Sequence, residues 1–163
     1  MSLETTFIAD LTAPAAEALR REFLTCRLGE ETYGIDILKV QEIREIDRVT
    51  RVPRVARHVR GVLNLRGEIV PIVDLGLMFG FPHPLPLQDA SAIVLNVDGR
   101  LVGLAVSSVS DVIRLADDEI LPPPELGERA IASAISGIGT RDGMTLLLLD
   151  VGQILKRVRE ERE

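Results

Sequence analysis

Side chains able to do chemistry are few in this chain of 163 residues. The only imidazoles, His58 and His83, lack a metal-type partner one helical turn away and adjoin neither the cysteine nor a pair of carboxylates. The single cysteine, Cys26, lies in the strand-like run Phe23-Leu24-Thr25-Cys26-Arg27-Leu28, where Cys behaves as a small buried hydrophobe. Ser107, Ser108 and Ser110 are outside any Gly-x-Ser-x-Gly elbow, and Asp117-Asp118-Glu119 reads as a solvated turn rather than a paired acid and base. Gly137-Ile138-Gly139 opens like a dinucleotide fingerprint, but Asp142 stands where the third glycine belongs and a strand follows instead of a helix. No nucleophile, metal cluster or cofactor cradle emerges, so the expectation is a protein without enzymatic activity or cofactor.

Charge narrows the partners. The net charge of −6 opposes attraction to nucleic acid or anionic lipid, and one Tyr, four Phe and no Trp leave little material for base stacking. All but Lys39 and Lys156 of the 19 basic residues are arginine. The longest uncharged stretch, Leu75 to Gln88, carries Pro82, Pro84 and Pro86 and falls short of the ~20 apolar residues a membrane span needs. Residues 1–10 lack a basic region ahead of an apolar run, so no secretory signal is read and a cytoplasmic chain is expected. What remains is the binding of other proteins.

The elements that would present such a surface are mostly β. Residues 1–20 read as a tail, with Thr12 to Leu19 forming a short Ala-rich helix. Runs 22–28 and 32–35 flank Gly29-Glu30-Glu31 as a hairpin; Asp36 caps one helical turn, and 40–46 resumes as a strand. Asp47 to Arg60 is a basic connection, with Arg48, Arg51, Arg54, Arg57 and Arg60 at every third position as a solvated loop. Runs 61–65 and 68–73 meet at Arg66-Gly67, and Pro71 places the second at a sheet edge or a bulge. Asp74 caps a short helix that Gly80 ends. Runs 92–97 and 100–106 about Asp98-Gly99 are apolar on both faces, which requires cover on both sides and puts them where two sheets meet. A strand at 109–115, a stiff Pro122-Pro123-Pro124, a hairpin 135–139 with 144–149, and a closing helix with the stripe Val151, Ile154, Leu155 and Val158 complete the chain.

Three stretches carry a resemblance. Tyr33-Gly34-Ile35-Asp36-Ile37-Leu38-Lys39-Val40-Gln41-Glu42-Ile43, then Thr50-Arg51-Val52-Pro53, then Gly61-Val62-Leu63-Asn64-Leu65-Arg66-Gly67-Glu68-Ile69-Val70-Pro71-Ile72-Val73-Asp74-Leu75 closely resemble the CheW family of chemotaxis coupling proteins. The similarity continues through Ile93 to Asn96, Val109 to Val112 and Gly137 to Gly139, over about residues 22 to 155. It implies a mainly β fold of two intertwined five-stranded SH3-like barrels with short helices and a C-terminal helix. The domain would span 21–158, with one lobe at about 22–65 plus the C-terminal part, the other at about 66–148, and a charged end at 159–163.

The resemblance also implies a function: a non-enzymatic scaffold that couples the cytoplasmic tip of chemoreceptors to the regulatory domain of a CheA-type histidine kinase, recruited to receptor arrays through those partners and joined there with other CheW-like domains. The family's contact positions fall on Arg66, Glu42, Val40, Asn64, Gly61 and Val112. Asn64 is also read as ordering its turn, Gly61 as a close-approach glycine and Val112 as a core valine. Two positions depart from the family pattern: Gly76 stands where Arg is frequent and Ser107 where Asp is, so a charged pair is missing here. The alternatives are an adaptor of another receptor and kinase pathway and, from a different class, a small-ligand-sensing barrel with an enclosed pocket.

Overall fold

The computed structural model describes residues 20–123 and 134–160. The expected N-terminal helix and Pro124 lie outside them. Among the described residues, eleven strands form two sheets. Strands β1 (Arg21–Leu28) and β2 (Glu31–Asp36) make the first hairpin, and a helical turn capped by the Asp36 carboxylate leads into β3 (Val40–Glu45). Next come β4 (Val59–Leu65), β5 (Glu68–Asp74), a one-turn helix α1 (Leu75–Met78), β6 (Ser91–Val97) and β7 (Arg100–Val106). The chain closes with β8 (Ser108–Leu115), β9 (Ile120–Leu121), β10 (Ile135–Arg141), β11 (Met144–Leu149) and the helix α2 (Val151–Glu160).

One sheet has the order β8-β1-β2-β11-β10-β9, the other β3-β6-β7-β5-β4. The first is thus six-stranded, the two-residue β9 being added at its edge. The expected lobe boundaries are corrected as well: β3 and β4 pair within the second sheet, and β8 to β11 return to the first. The split falls after Asp36 and after Val106, because the chain crosses between sheets at the turns following β2 and β7. Two lobes share a core, as the two-sided apolar hairpin requires. Leu24, Cys26, Leu28, Tyr33 and Ile35 of one sheet pack with Val73, Ile93, Leu95, Val102, Leu104 and Val106 of the other in one cluster, with the α2 stripe Val151, Ile154, Leu155 and Val158. The opposite faces fill the separate lobe interiors: Ala92, Ala105 and Val94 in one, Phe23, Leu115, Leu146 and Leu148 in the other. Cys26 is fully buried, and its thiol is pushed up to about 12 by loss of solvent.

The lobes repeat one plan. In each, a hairpin is joined to another through a parallel pair of strands, β5 with β7 and β2 with β11. Asp74, the last residue of β5, and Asp150, the residue after β11, cap the helices that follow, accepting from the amides of Leu77 and Gln153. Gly103 and Gly34 stand at the two parallel seams, where an added Cβ would lie 2.7 Å from Ile72 Cδ1 and 2.8 Å from Leu148 Cδ2.

Pro71 lies in an interior strand, so the edge alternative falls, while the β4–β5 ladder does carry an irregularity beside it, between Val59 and Gly61. Its opposite, Val62, points both backbone groups away from β5 to bond Thr50, so Pro71 also faces away from β4, toward β7. There the parallel pairing begins only at Ile72 with Gly103, so no ladder bond is forfeited. Arg60 is likewise not a solvated loop residue. It sits in β4 and places Nη1 3.0 Å from Asp74 Oδ2 and 2.7 Å from the Leu85 carbonyl. Asp74, 1% exposed, also accepts from the amides of Leu77 and Leu85. This buried clamp fixes the β4–β5 hairpin and the proline-rich crossing together. Asp74→Ala, which strands the Arg60 charge, should cost about 3–5 kcal/mol in urea unfolding; a loss near that of an exposed ion pair would show the clamp to be dispensable.

Candidate protein-docking site

Arg66 occupies the turn between β4 and β5 with φ of 51°, followed by Gly67 at 90°. Two positive φ values are what a tight hairpin turn demands, and glycine or Asn/Asp supplies them at least cost. The matching turns use Asp98 and Asp142 there, so an arginine held left-handed is the exception. Asn64 Oδ1 accepts from the Gly67 amide at 3.0 Å and fixes the turn, as Asn96 does for Gly99.

From that turn the guanidinium reaches Glu42, with Nη2 to Oε1 at 2.6 Å and Nη1 to Oε2 at 3.4 Å. Glu42 is on β3 and Arg66 directly follows β4, and these strands are the two edges of the five-stranded sheet. Their two-point ion pair therefore spans the seam where this sheet curls onto itself. The Arg66 hydrogen bond holds the Glu42 carboxyl below its usual range, and Glu42 in turn raises the Arg66 guanidinium. On the strands of this sheet, Ile43, next to Glu42 on β3 and therefore on its other face, exposes 47% of its surface, Ile69 on β5 exposes 61%, and Leu38 ahead of β3 exposes 87%.

The other expected positions divide. Val40 begins β3 and is half-buried against the inter-lobe core. Gly61 lies where Thr50 bridges to Val62, with φ of 145°; an added Cβ would collide with the Thr50 carbonyl and stand 2.5 Å from Val49 Cγ1. It closes the same seam further along. Val112 is not a core valine: it is on β8, the edge of the other sheet, 46% exposed, beside Asp111, Arg114 and Met144. The structure thus gathers Arg66, Glu42 and Asn64, keeps Val40 and Gly61 as supports, and sets Val112 on the other lobe. Ile43, Ile69 and the Asn96–Gln41 hydrogen bond were not among the expected positions; alternation along β3 would have pointed to Ile43. At Gly76, a Cβ would lie 2.8 Å from Phe81, so the ring fills the space an arginine would need, while Ser107 is exposed with its amide on the Arg27 carbonyl.

Comparison with known proteins decides the family. The model of the CheW-like domain matches residues 22–159. The chain belongs to the CheW family. It is 41% identical to the chemotaxis protein CheW of Klebsiella aerogenes over 91% of this chain and 89% of that one. The CheW of Rhizobium meliloti is 33% identical, over 88% of this chain and 91% of its own. Among solved structures, the scaffolding protein TtCheW of Thermoanaerobacter tengcongensis superposes with a TM-score of 0.73 at 28% identity, over 80% of this chain and 89% of its own. In this CheW-family chain the clasp is held by electrostatics at an open surface.

Two outcomes test this geometry. Because the folded carboxyl is depressed, the Glu42 contribution is present above its unfolded pKa and is lost as pH falls through the folded value; the clasp should persist at neutral pH and open only in acid. A carboxyl titration by NMR should find Glu42 below the usual range and returned toward it in Arg66→Ala. Gly61→Ala should cost about 2–4 kcal/mol from backbone strain and the collision with Thr50, read in urea melts, whereas a variant as stable as the parent would remove Gly61 from the seam.

Proposed function

We propose that this protein is a scaffold of chemotaxis signalling that joins the cytoplasmic tip of chemoreceptors to the regulatory domain of a CheA-type kinase without chemistry of its own. The observation that carries the reading is the Arg66–Glu42 clasp, an arginine held at a strained turn and bonded in the open across a lobe seam. The buried core beneath this sheet and the exposed Ile43 and Ile69 on the same lobe offer a partner apolar side chains on a fixed frame, with a surface charge that can be rebonded. Val112 and Met144 on the other lobe form a second, separate face, which suits a protein that must touch more than one neighbour and could join CheW-like domains in rings. Recruitment to membrane arrays then comes through partners; no helix among the described residues is long and apolar enough to cross a membrane.

A scaffold transmits a signal only if its contacts differ in free energy between kinase-on and kinase-off assemblies, typically by ~1–3 kcal/mol. Equal binding to both states, however tight, shifts nothing. Calorimetric titration with the regulatory domain of the cognate kinase should give saturable binding near one to one. Arg66→Ala and Arg66→Glu should abolish receptor-dependent kinase control in a reconstituted array while the circular dichroism and melting curve stay those of the parent. Control that survives both substitutions would take the clasp out of the mechanism.

A further inference from the structure

Strand β8 carries one residue more than β1 can pair. Leu24 stands opposite Val112 and Cys26 opposite Val109, so Thr25 alone faces both Ser110 and Asp111. Such a β-bulge interrupts the backbone ladder and re-aims the side chains beyond it. Here the Thr25 hydroxyl takes up both backbone groups of Asp111: it accepts from the amide at 3.0 Å and donates to the carbonyl at 2.9 Å. Thr25 is buried, on the face of β1 that alternation shares with Phe23 and the lobe interior.

The extra residue decides where Val112 points. Val109 packs on the inter-lobe core, as does Cys26 opposite it. Strict alternation from Val109 would carry Ile113 and Leu115 to that same face and turn Val112 into the lobe interior. The structure has the reverse. Ile113 and Leu115 pack with Phe23 inside the lobe, while Val112 stands opposite Leu24 and shares its face, exposed to solvent. One inserted residue has exchanged the two faces of the strand. We propose that Thr25 is the positioning residue of the Val112 face: its hydroxyl holds the bulge that turns Val112 out of the lobe interior and aims it at an apolar side chain of a partner. The docking half of this inference rests on the proposed role of Val112 as a contact position; the aim of the side chain does not. Being buried, Thr25 acts on a partner only through β8.

Two substitutions in the full chain separate the hydroxyl from the shape of the side chain. Thr25→Val removes the hydroxyl and keeps the branched shape; Thr25→Ser keeps the hydroxyl. Thr25→Ala, which also lacks it, makes the same comparison should the valine crowd the bulge. In isotope-enriched protein the Asp111 amide should exchange about tenfold faster in Thr25→Val and return to the parent rate in Thr25→Ser. The nuclear Overhauser contact between the methyls of Val112 and Leu24 should weaken in the first variant and return in the second. Affinity is read by titrating each variant with the kinase regulatory domain and with a soluble receptor fragment. Val112→Glu should weaken one of the two, Thr25→Val should weaken the same one about tenfold with Thr25→Ser near the parent, and adding Thr25→Val to Val112→Glu should cost nothing more. Parent-like exchange and Overhauser contacts in Thr25→Val would overturn the positioning role, and so would a further loss of affinity in the double variant. Val112→Glu that weakens neither titration would remove the docking role of this face, while exchange and Overhauser contacts still decide what aims Val112.

Discussion

The apolar layer shared by the two sheets is the constraint on which the remaining architecture depends. Hairpin β6–β7 buries both faces, one into this layer and one into its own lobe. A sheet so covered cannot tilt or slide without opening a cavity, because protein interiors are packed as densely as organic crystals. The lobes are therefore one mechanical unit, and α2, whose stripe enters the same cluster, pins them together. Change has to be sought at the surface, where charged and apolar side chains meet water.

Three fastenings around that layer differ in kind. Asp74 is buried with Arg60 and two amides, so a lost partner leaves a charge without solvent, and the hairpin it anchors is fixed. Arg66 and Glu42 close the seam in the open, where water competes for both ions and salt screens them. On the other lobe the corresponding turn carries Asp142, and Arg141 reaches the carbonyl of Arg114 instead, tying β10 to β8 through a backbone group. One seam is thus fastened by a pair of solvent-facing side chains, and its counterpart by an anchorage to the main chain.

Much of the fold was legible because local rules and tertiary packing agree. Gly29, Gly67, Gly99 and Gly143 mark the hairpins, Asp36, Asp74 and Asp150 cap the helical turns after their strands, and the α2 stripe is apolar at helical spacing. What local rules could not supply was pairing between distant strands. The lobe boundaries shifted because β3 and β4 look no different whichever sheet they join. Pro71 resembled an edge residue because its escape depends on where β7 begins to pair, thirty-odd positions along. Arg60 resembled its neighbours at every third position until Asp74 was placed beside it. As proposed contact positions, Arg66 and Glu42 came only through family resemblance: nothing in the spacing of residues 42 and 66 says that the two edges of a sheet meet there. Ile69 and Val112 show the converse limit, since an apolar residue in a strand is read inward unless its face is known.

The repeat of the plan in both lobes bears on what such a scaffold-like module can hold. Equivalent strands, turns and caps give the two lobes matching shapes, yet the side chains at the matched turns have diverged: Arg66 against Asp142, Glu68 against Met144. Two like-shaped faces of unlike chemistry on one rigid core can hold two different neighbours at a fixed angle. The core cannot absorb a displacement of one neighbour, because its packing offers no second arrangement of comparable energy. The displacement must then appear either at the other face or as an altered contact at the first. An exposed ion pair, cheap to break and directional when made, is the kind of contact whose energy can differ between those two outcomes.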